Sequence, residues 1–291
     1  MANGRRRPGI LPACACREVD GENPESVIRN FPFCVSTSPE ILRSLNDAPL
    51  SGAANMARDE ALMLRVGEGL SPPTLRLYQW SEPTISLGYF QPFAQYKTLP
   101  PPYSSMAVVR RLTGGGAILH DLELTYSITL PIHHPLLARG ANRLYELAHD
   151  AVIAAMSDLG VNAKRCGQSD DSGAARGPFF CFARRHCYDV LVGDDKIAGS
   201  AQRRTTSAVL QHGSIILGNR FAEQPTARIN RPYEEAARRI RERFPRYFAR
   251  VADISVEPGD WTADEQAAAV ELIPQYAGAE WTKRDRTTNC E

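Results

Sequence analysis

No run of about eighteen apolar residues occurs in this chain, so no transmembrane helix is expected. A dominant sign of charge is also missing. Against 33 Asp+Glu stand 34 Lys+Arg, and a net charge of +1 gives no general pull toward nucleic acid or an anionic membrane. Any basic chemistry is therefore local. The start, MANGRRRPGILPACAC, has only a short apolar stretch broken by prolines, which argues against a signal peptide. Glu18, Asp20, Glu22 and Glu25 follow too closely for a transit peptide. Cysteines at metal-binding spacing are scarce. Neither Cys14-Ala15-Cys16 nor Cys181…Cys187 has a second pair at zinc-like spacing, so no metal is expected. Seven cysteines, an odd number, read as thiols in a reducing cytoplasm rather than as a disulfide framework.

What is present suits one large domain. The 43% hydrophobic fraction over 291 residues is enough for a sizeable core. Residues 1–40 mix arginine, proline, glycine and acidic residues without periodicity and read as a flexible tail, with order beginning near Ile41. Ala53, Ala57, Ala61 and Leu64 share a helical face over residues 52–66. Strands are expected over 74–80 and 84–88, with Glu82-Pro83 turning between them, and over 107–111. Residues 124–130 alternate, with Leu124, Tyr126, Ile128 and Leu130 on one face and Thr125, Ser127 and Thr129 on the other. A helix over 141–159 ends at Gly160, and residues 161–178 read as a mobile loop. Further strands are expected at Tyr188, Val190 and Val192, over 196–202 and over 208–217. Arg231-Pro232 opens a helix to about Phe248, and Thr262 with Glu265 forms a capping-box pattern for a last one. The sum is α+β: helices packed on a mixed or largely antiparallel sheet.

RRLTGGGAILHDLELTYSITLP, residues 110–131, is the most informative stretch. Three glycines in a row weaken a strand, so Gly114, Gly115 and Gly116 mark a loop where backbone comes close to something. Arg110 and Arg111 supply charge for a phosphate or carboxylate; the plain alternative is a sharp hairpin with a basic flank. Neither a Lys-Ser/Thr at P-loop spacing nor GxGxxG is there. His120-Asp121 is no dyad, because adjacent strand residues point to opposite faces.

Taken together with other segments, this stretch resembles the lipoate-protein ligase and octanoyltransferase superfamily, which also contains biotin ligases. NMARDEA (55–61), WSEPTISLGYFQ (80–91), DKIAGSAQRR (195–204), LQHGSIIL (210–217) and YAGAEWTKR (276–284) follow in family order. The match spans residues 41–286, which implies a catalytic domain of biotin/lipoate ligase type and, with the end so near Trp281, no C-terminal accessory domain. The biotin ligases' own glycine-arginine loop is absent.

The resemblance implies transfer of octanoyl from octanoyl-acyl carrier protein, through a cysteine thioester, to a lysine of a lipoyl domain (glycine cleavage H protein or a 2-oxoacid dehydrogenase E2 subunit). HDLELTYS (120–127) and the pair Cys181-Phe182, fifteen residues before Lys196, are similar to the LipM-type octanoyltransferases. Cys181 is then the nucleophile, and Lys196 orients or polarises the acyl carbonyl. Arg110, Arg111, Gly114, Gly115, Gly116, His120, Gly199 and Ser200 are implied at the acyl or ligand site. Leu124, Tyr126 and Ile128 either line an acyl slot or pack the core. This route needs no cofactor. Gly116 points the other way: octanoyltransferases of this type usually carry arginine there, and an ATP- and Mg-dependent lipoate ligase is the alternative. A silent homologue that only binds lipoyl domains is a third reading.

Overall fold

The computed structural model describes residues 41–167 and 178–284. In chain order its elements are β1 (Ile41–Asn46), α1 (Gly52–Gly67), β2 (Thr74–Tyr78), β3 (Thr84–Leu87), α2 (Phe93–Lys97), β4 (Ala107–Arg110), β5 (Ile118–His120), β6 (Glu123–Pro131), α3 (Arg143–Asp158), β7 (Ala163–Arg165), β8 (Val190–Val192), β9 (Asp195–Arg204), β10 (Ala208–Ile216), α4 (Tyr233–Ala252), β11 (Ser255–Pro258), α5 (Ala263–Ala277) and α6 (Ala279–Lys283). Eight strands form one sheet in the order β11-β1-β2-β6-β10-β9-β8-β7; β4-β3-β5 form a second, smaller one. Strand β1 is parallel to β2 and β11, while β2, β6, β10, β9, β8 and β7 pair antiparallel. The sheet is mixed, as the alternation and the interspersed helices imply.

Alternation along β6 decides the layers. Leu124, Tyr126, Ile128 and Leu130 face the main core, which α3 and α4 close with residues such as Leu144, Val152, Ile240 and Phe244. Of the two roles open to Leu124, Tyr126 and Ile128, the structure assigns core packing. The opposite face carries Arg76, Tyr78, Thr125, Ser127, His212 and Ser214 and receives α1, which packs on α5. The small sheet and Phe180 form a third cluster.

Local signals set several boundaries. Gly160, at φ +76°, follows the end of α3, and the Thr262–Glu265 capping box opens α5. Pro232 is the N-cap of α4 rather than its first residue, and that helix runs on through Pro245 to Ala252. Strand β7 corrects the loop expected over 161–178. Three residues are too short to show a period, yet they pair with β8 at the sheet edge. The rest of that loop, 168–177, and the tail at 1–40 lie outside the described residues. Among the described residues no helix is long and apolar enough to cross a membrane.

Candidate active site

A β-bulge aims the lysine. Val190 pairs with Ala198 but Leu191 pairs with Lys196, so Ile197 is the extra residue on β9. Ile197 and Ala198 both enter the main core. The phase of β9 therefore flips, and Lys196 comes to the same side as Gly199. There the Lys196 ammonium, 2% exposed, pairs with Asp189 Oδ2 at 2.8 Å and donates to Cys181 Sγ at 3.9 Å. It also lies 4.9 Å from the Phe182 ring centre. Asp189 is held in turn by the His186 backbone N–H at 2.8 Å.

Gly199 makes this possible. A Cβ at 199 would lie 2.5 Å from Lys196 Cε and 2.7 Å from its Nζ. Those atoms end a flexible side chain, so Gly199→Ala is expected to melt near the parent while transferring acyl groups at least about tenfold more slowly, because the displaced ammonium loses its place beside the sulfur. A thermal melt and a transfer assay on the same preparation check both halves.

Cys181 starts a 3-10 turn, and its N–H donates to the Ala117 carbonyl at 2.7 Å. Ala117 in turn donates to the Phe179 carbonyl, so the cysteine loop is stitched to the strand that follows the glycine run. The three glycines answer to different demands. Gly115 adopts φ +87°, and its carbonyl passes only 1.9 Å from where a Cβ on Gly88 would sit. At Gly116 a Cβ would meet the Phe179 carbonyl at 3.2 Å and the Arg184 guanidinium carbon at 3.3 Å. Gly114 has open space.

The two arginines part company. Arg111 is buried and donates to the carbonyls of Ser86, Gly114 and Gly116, which fixes the loop from inside. Burial pushes this guanidinium down to about 10, against the opposing pull of Cys181, so the cation lies within electrostatic reach of the sulfur. Arg110 is not brought to the same place. It lines neither cavity at the site, and its guanidinium donates to the carbonyls of Gly88, Tyr89, Gln91 and Thr282.

Two adjoining cavities share Gly115, Cys181, Lys196, Ser200 and Ala201. The outer one is wide, about 350 Å³, and is bordered by Arg184, Arg185, His186 and Tyr145. The inner one is narrow, about 40 Å³, and runs between the large and small sheets. One wall is a row across the large sheet, Gly199–Ser214–Thr125–Tyr78, each residue paired with the next. Ser86, Ile118 and His120 of the small sheet line the other. The cavity thus uses the Thr125 face of β6 and not the Leu124 face.

His120 is buried beside this slot. Its Nε2 meets Ser86 Oγ at 2.7 Å and its Nδ1 meets Glu123 Oε1 at 2.9 Å. The ring stacks on Trp80, with centroids 3.8 Å apart and planes 12° apart. Burial pushes its pKa below the usual value, with Glu123 opposing, so the ring is neutral near pH 7. Asp121, the other half of the dipeptide, faces away to Arg220. Ser200 accepts from Tyr126 and donates to His149 Nε2 at 2.6 Å; burial holds His149 down to about 4, so that ring is neutral as well. Sequence reasoning missed Asp189, Trp80, Glu123, His149 and His212. Trp80, Glu123 and His212 lay inside quoted segments without being singled out, and Asp189 follows an aromatic-rich stretch without any pattern of its own.

A cysteine sulfur beside an ion-paired lysine, where a wide mouth narrows to a slot, is an arrangement that suits acyl transfer. The family model described as the lipoyl protein ligase A/B catalytic domain matches residues 51–271, and the chain belongs to that family. It is similar to octanoyltransferase LipM of Moorella thermoacetica, 36% identical over 84% of this chain and 98% of that protein. The corresponding enzyme of Kyrpidia tusciae is 34% identical, covering 83% and 98%. A solved structure from Thermoplasma acidophilum, described as a bi-partite lipoate protein ligase and its E2 lipoyl domain, matches with a TM-score of 0.61 at 20% identity, over 86% of this chain and 99% of that one. That last likeness concerns the fold.

Proposed function

We propose that this chain is an octanoyltransferase of protein lipoylation that takes octanoyl from an acyl carrier protein onto Cys181 and delivers it to a lipoyl-domain lysine. The observation that carries the route is the Lys196 ammonium, held by Asp189, 3.9 Å from Cys181 Sγ at the junction of the two cavities. The octanoyl tail lies in the inner slot, and the outer cavity admits the donor's thioester arm and later the acceptor lysine.

Two exchanges complete the cycle. The Cys181 thiolate attacks the donor's thioester carbonyl, a C–S bond forms to the enzyme, and the carrier's thiolate leaves and takes a proton. The acceptor amine then attacks the acyl-enzyme, an amide forms, and its proton goes to the departing Cys181 sulfur. Lys196 steadies negative charge on the sulfur and on the carbonyl oxygen in both steps. A thioester is exchanged for a thioester first, so the route uses neither ATP nor a metal ion.

Incubating the purified protein with octanoyl-acyl carrier protein, without ATP, is expected to add one octanoyl group to its intact mass, removable by hydroxylamine. Absence of that adduct, with loading of a lipoyl domain only from free octanoate or lipoate plus ATP, would overturn the reading in favour of a ligase.

A further inference from the structure

One turn along α3 from Tyr145 lies a histidine that neither exchange uses. His149 is 1% exposed, and both of its ring nitrogens are engaged. Nδ1 donates to the Tyr188 carbonyl, and Nε2 meets Ser200 Oγ at 2.6 Å. A carbonyl only accepts, so the ring hydrogen sits on Nδ1 and Nε2 is left as an acceptor. Ser200 then gives its single hydrogen to Nε2, and the Tyr126 hydroxyl donates to Ser200. Gly213, paired with both Tyr126 and Ser200, leaves room for that contact, since a Cβ there would lie 2.4 Å from Ser200 Oγ.

The two nitrogens reach the two elements between which Lys196 is held. Tyr188 precedes Asp189, whose carboxylate pairs with the Lys196 ammonium at 2.8 Å. Ser200 follows Gly199, whose missing side chain leaves that ammonium its place. The strand ladder does not make this link, because the pairing of β8 with β9 ends at Val190 and Ala198. Beyond that point the turn carrying Asp189 and the strand under Lys196 are joined through α3. Tyr145 steadies the same turn from the side, its ring stacked on Tyr188 with centroids 5.7 Å apart and planes 11° apart.

We infer that His149 is a positioning residue that sets the spacing between Asp189 and Gly199 and so holds the Lys196 ammonium beside Cys181. It lines neither cavity and acts through the lysine. Without the imidazole the turn and the strand shift against each other, and a misplacement of about 1 Å costs on the order of a hundredfold in rate. This rests on the octanoyl-transfer reading and adds to it a residue behind the site on which the site's charge depends.

Single-turnover uptake of octanoyl from octanoyl-acyl carrier protein, read by intact mass of the full-length protein, tests it. His149→Ala, and His149→Leu, which fills the space without either hydrogen bond, are each expected to load at least about tenfold more slowly than the parent. His149→Asn, whose amide nitrogen still donates to the Tyr188 carbonyl, is expected to load at least about threefold faster than His149→Leu. Added to Lys196→Ala, His149→Leu is expected to cost less than about twofold more, because no ammonium is left to misplace. Loading within twofold of the parent by either His149→Ala or His149→Leu, folded by circular dichroism, would overturn the inference while leaving the transferase reading intact. So would a full tenfold further loss in the Lys196→Ala background, or an asparagine variant no faster than the leucine one. A parent that takes up no octanoyl would overturn both.

Discussion

Cys181→Ser is expected to form no octanoyl adduct and to slow transfer to a lipoyl domain at least about ten-thousandfold. A serine hydroxyl stays protonated near pH 7, and the side chain that donates to Cys181 Sγ is a cation. Lys196 donates to the sulfur and Arg111 lies within electrostatic reach of it, so neither takes a proton from a hydroxyl. Lys196→Ala is expected to cost at least about a thousandfold, since it removes the charge opposite the developing anion. It also leaves the Asp189 carboxylate buried without its partner, a loss of about 3 kcal/mol that a denaturant melt reads separately. The two residues act on the same sulfur. The Cys181→Ser, Lys196→Ala double variant should therefore be no more than a few times slower than Cys181→Ser alone. Single-turnover transfer, followed by intact mass of the acceptor, checks all three. Transfer by Cys181→Ser within tenfold of the parent would place the nucleophile elsewhere.

The layers were legible because their residues alternate at the right periods. Residues 52–66 and 141–159 became α1 and α3 nearly as expected, and β6 carried its core face in plain view. Strand β7 was hidden by its shortness. At the site, the quoted segments brought Cys181, Lys196, Gly115, Gly199, Ser200, Arg111 and His120 to one place, lining one or both cavities. What sequence left out were the partners. Asp189 reaches Lys196 only because the bulge at Ile197 turns the lysine over, and a bulge has no period to detect. Glu123 stood inside the quoted HDLELTYS without a role of its own, and only the fold places Trp80, His120 and Ser214 around it. Arg110 shows the converse case. Next to Arg111 in sequence it points to the other side of its strand and into backbone carbonyls.

Asp59→Ala is expected to lower stability by about 3–5 kcal/mol, a fall in melting temperature of roughly 10 °C or more. The reason is what it leaves behind. Arg76, fully buried, donates to Asp59 Oδ1 and to Asp47 Oδ2, each at 2.7 Å. Tyr78, Ser127 and His212 bond the Asp59 carboxylate as well. Burial alone would raise the Asp59 pKa, but His212, Arg76 and Ser127 outweigh it and hold the carboxyl below its ordinary 3.8. Burial also works against Asp47, and Arg76, Arg58 and Trp261 hold that one down too. A carboxylate depressed in the folded state contributes stability that is full above its unfolded value and is lost as pH falls through the folded one. The parent should therefore begin to lose stability below about pH 4, and Asp59→Ala should show a shallower acid limb, read by urea melts at stepped pH. The same carboxylate also reaches the glycine loop. His212 Nε2 meets Thr113 Oγ1 at 2.6 Å, and Arg111 Nε donates to that same oxygen at 3.2 Å before gripping Gly114 and Gly116. Losing Asp59 frees the inner end of this relay, so the surviving folded protein is expected to transfer acyl groups several-fold more slowly although Asp59 lines neither cavity. Activity fully retained by Asp59→Ala at a temperature where it is folded would show that the loop holds its shape without the relay.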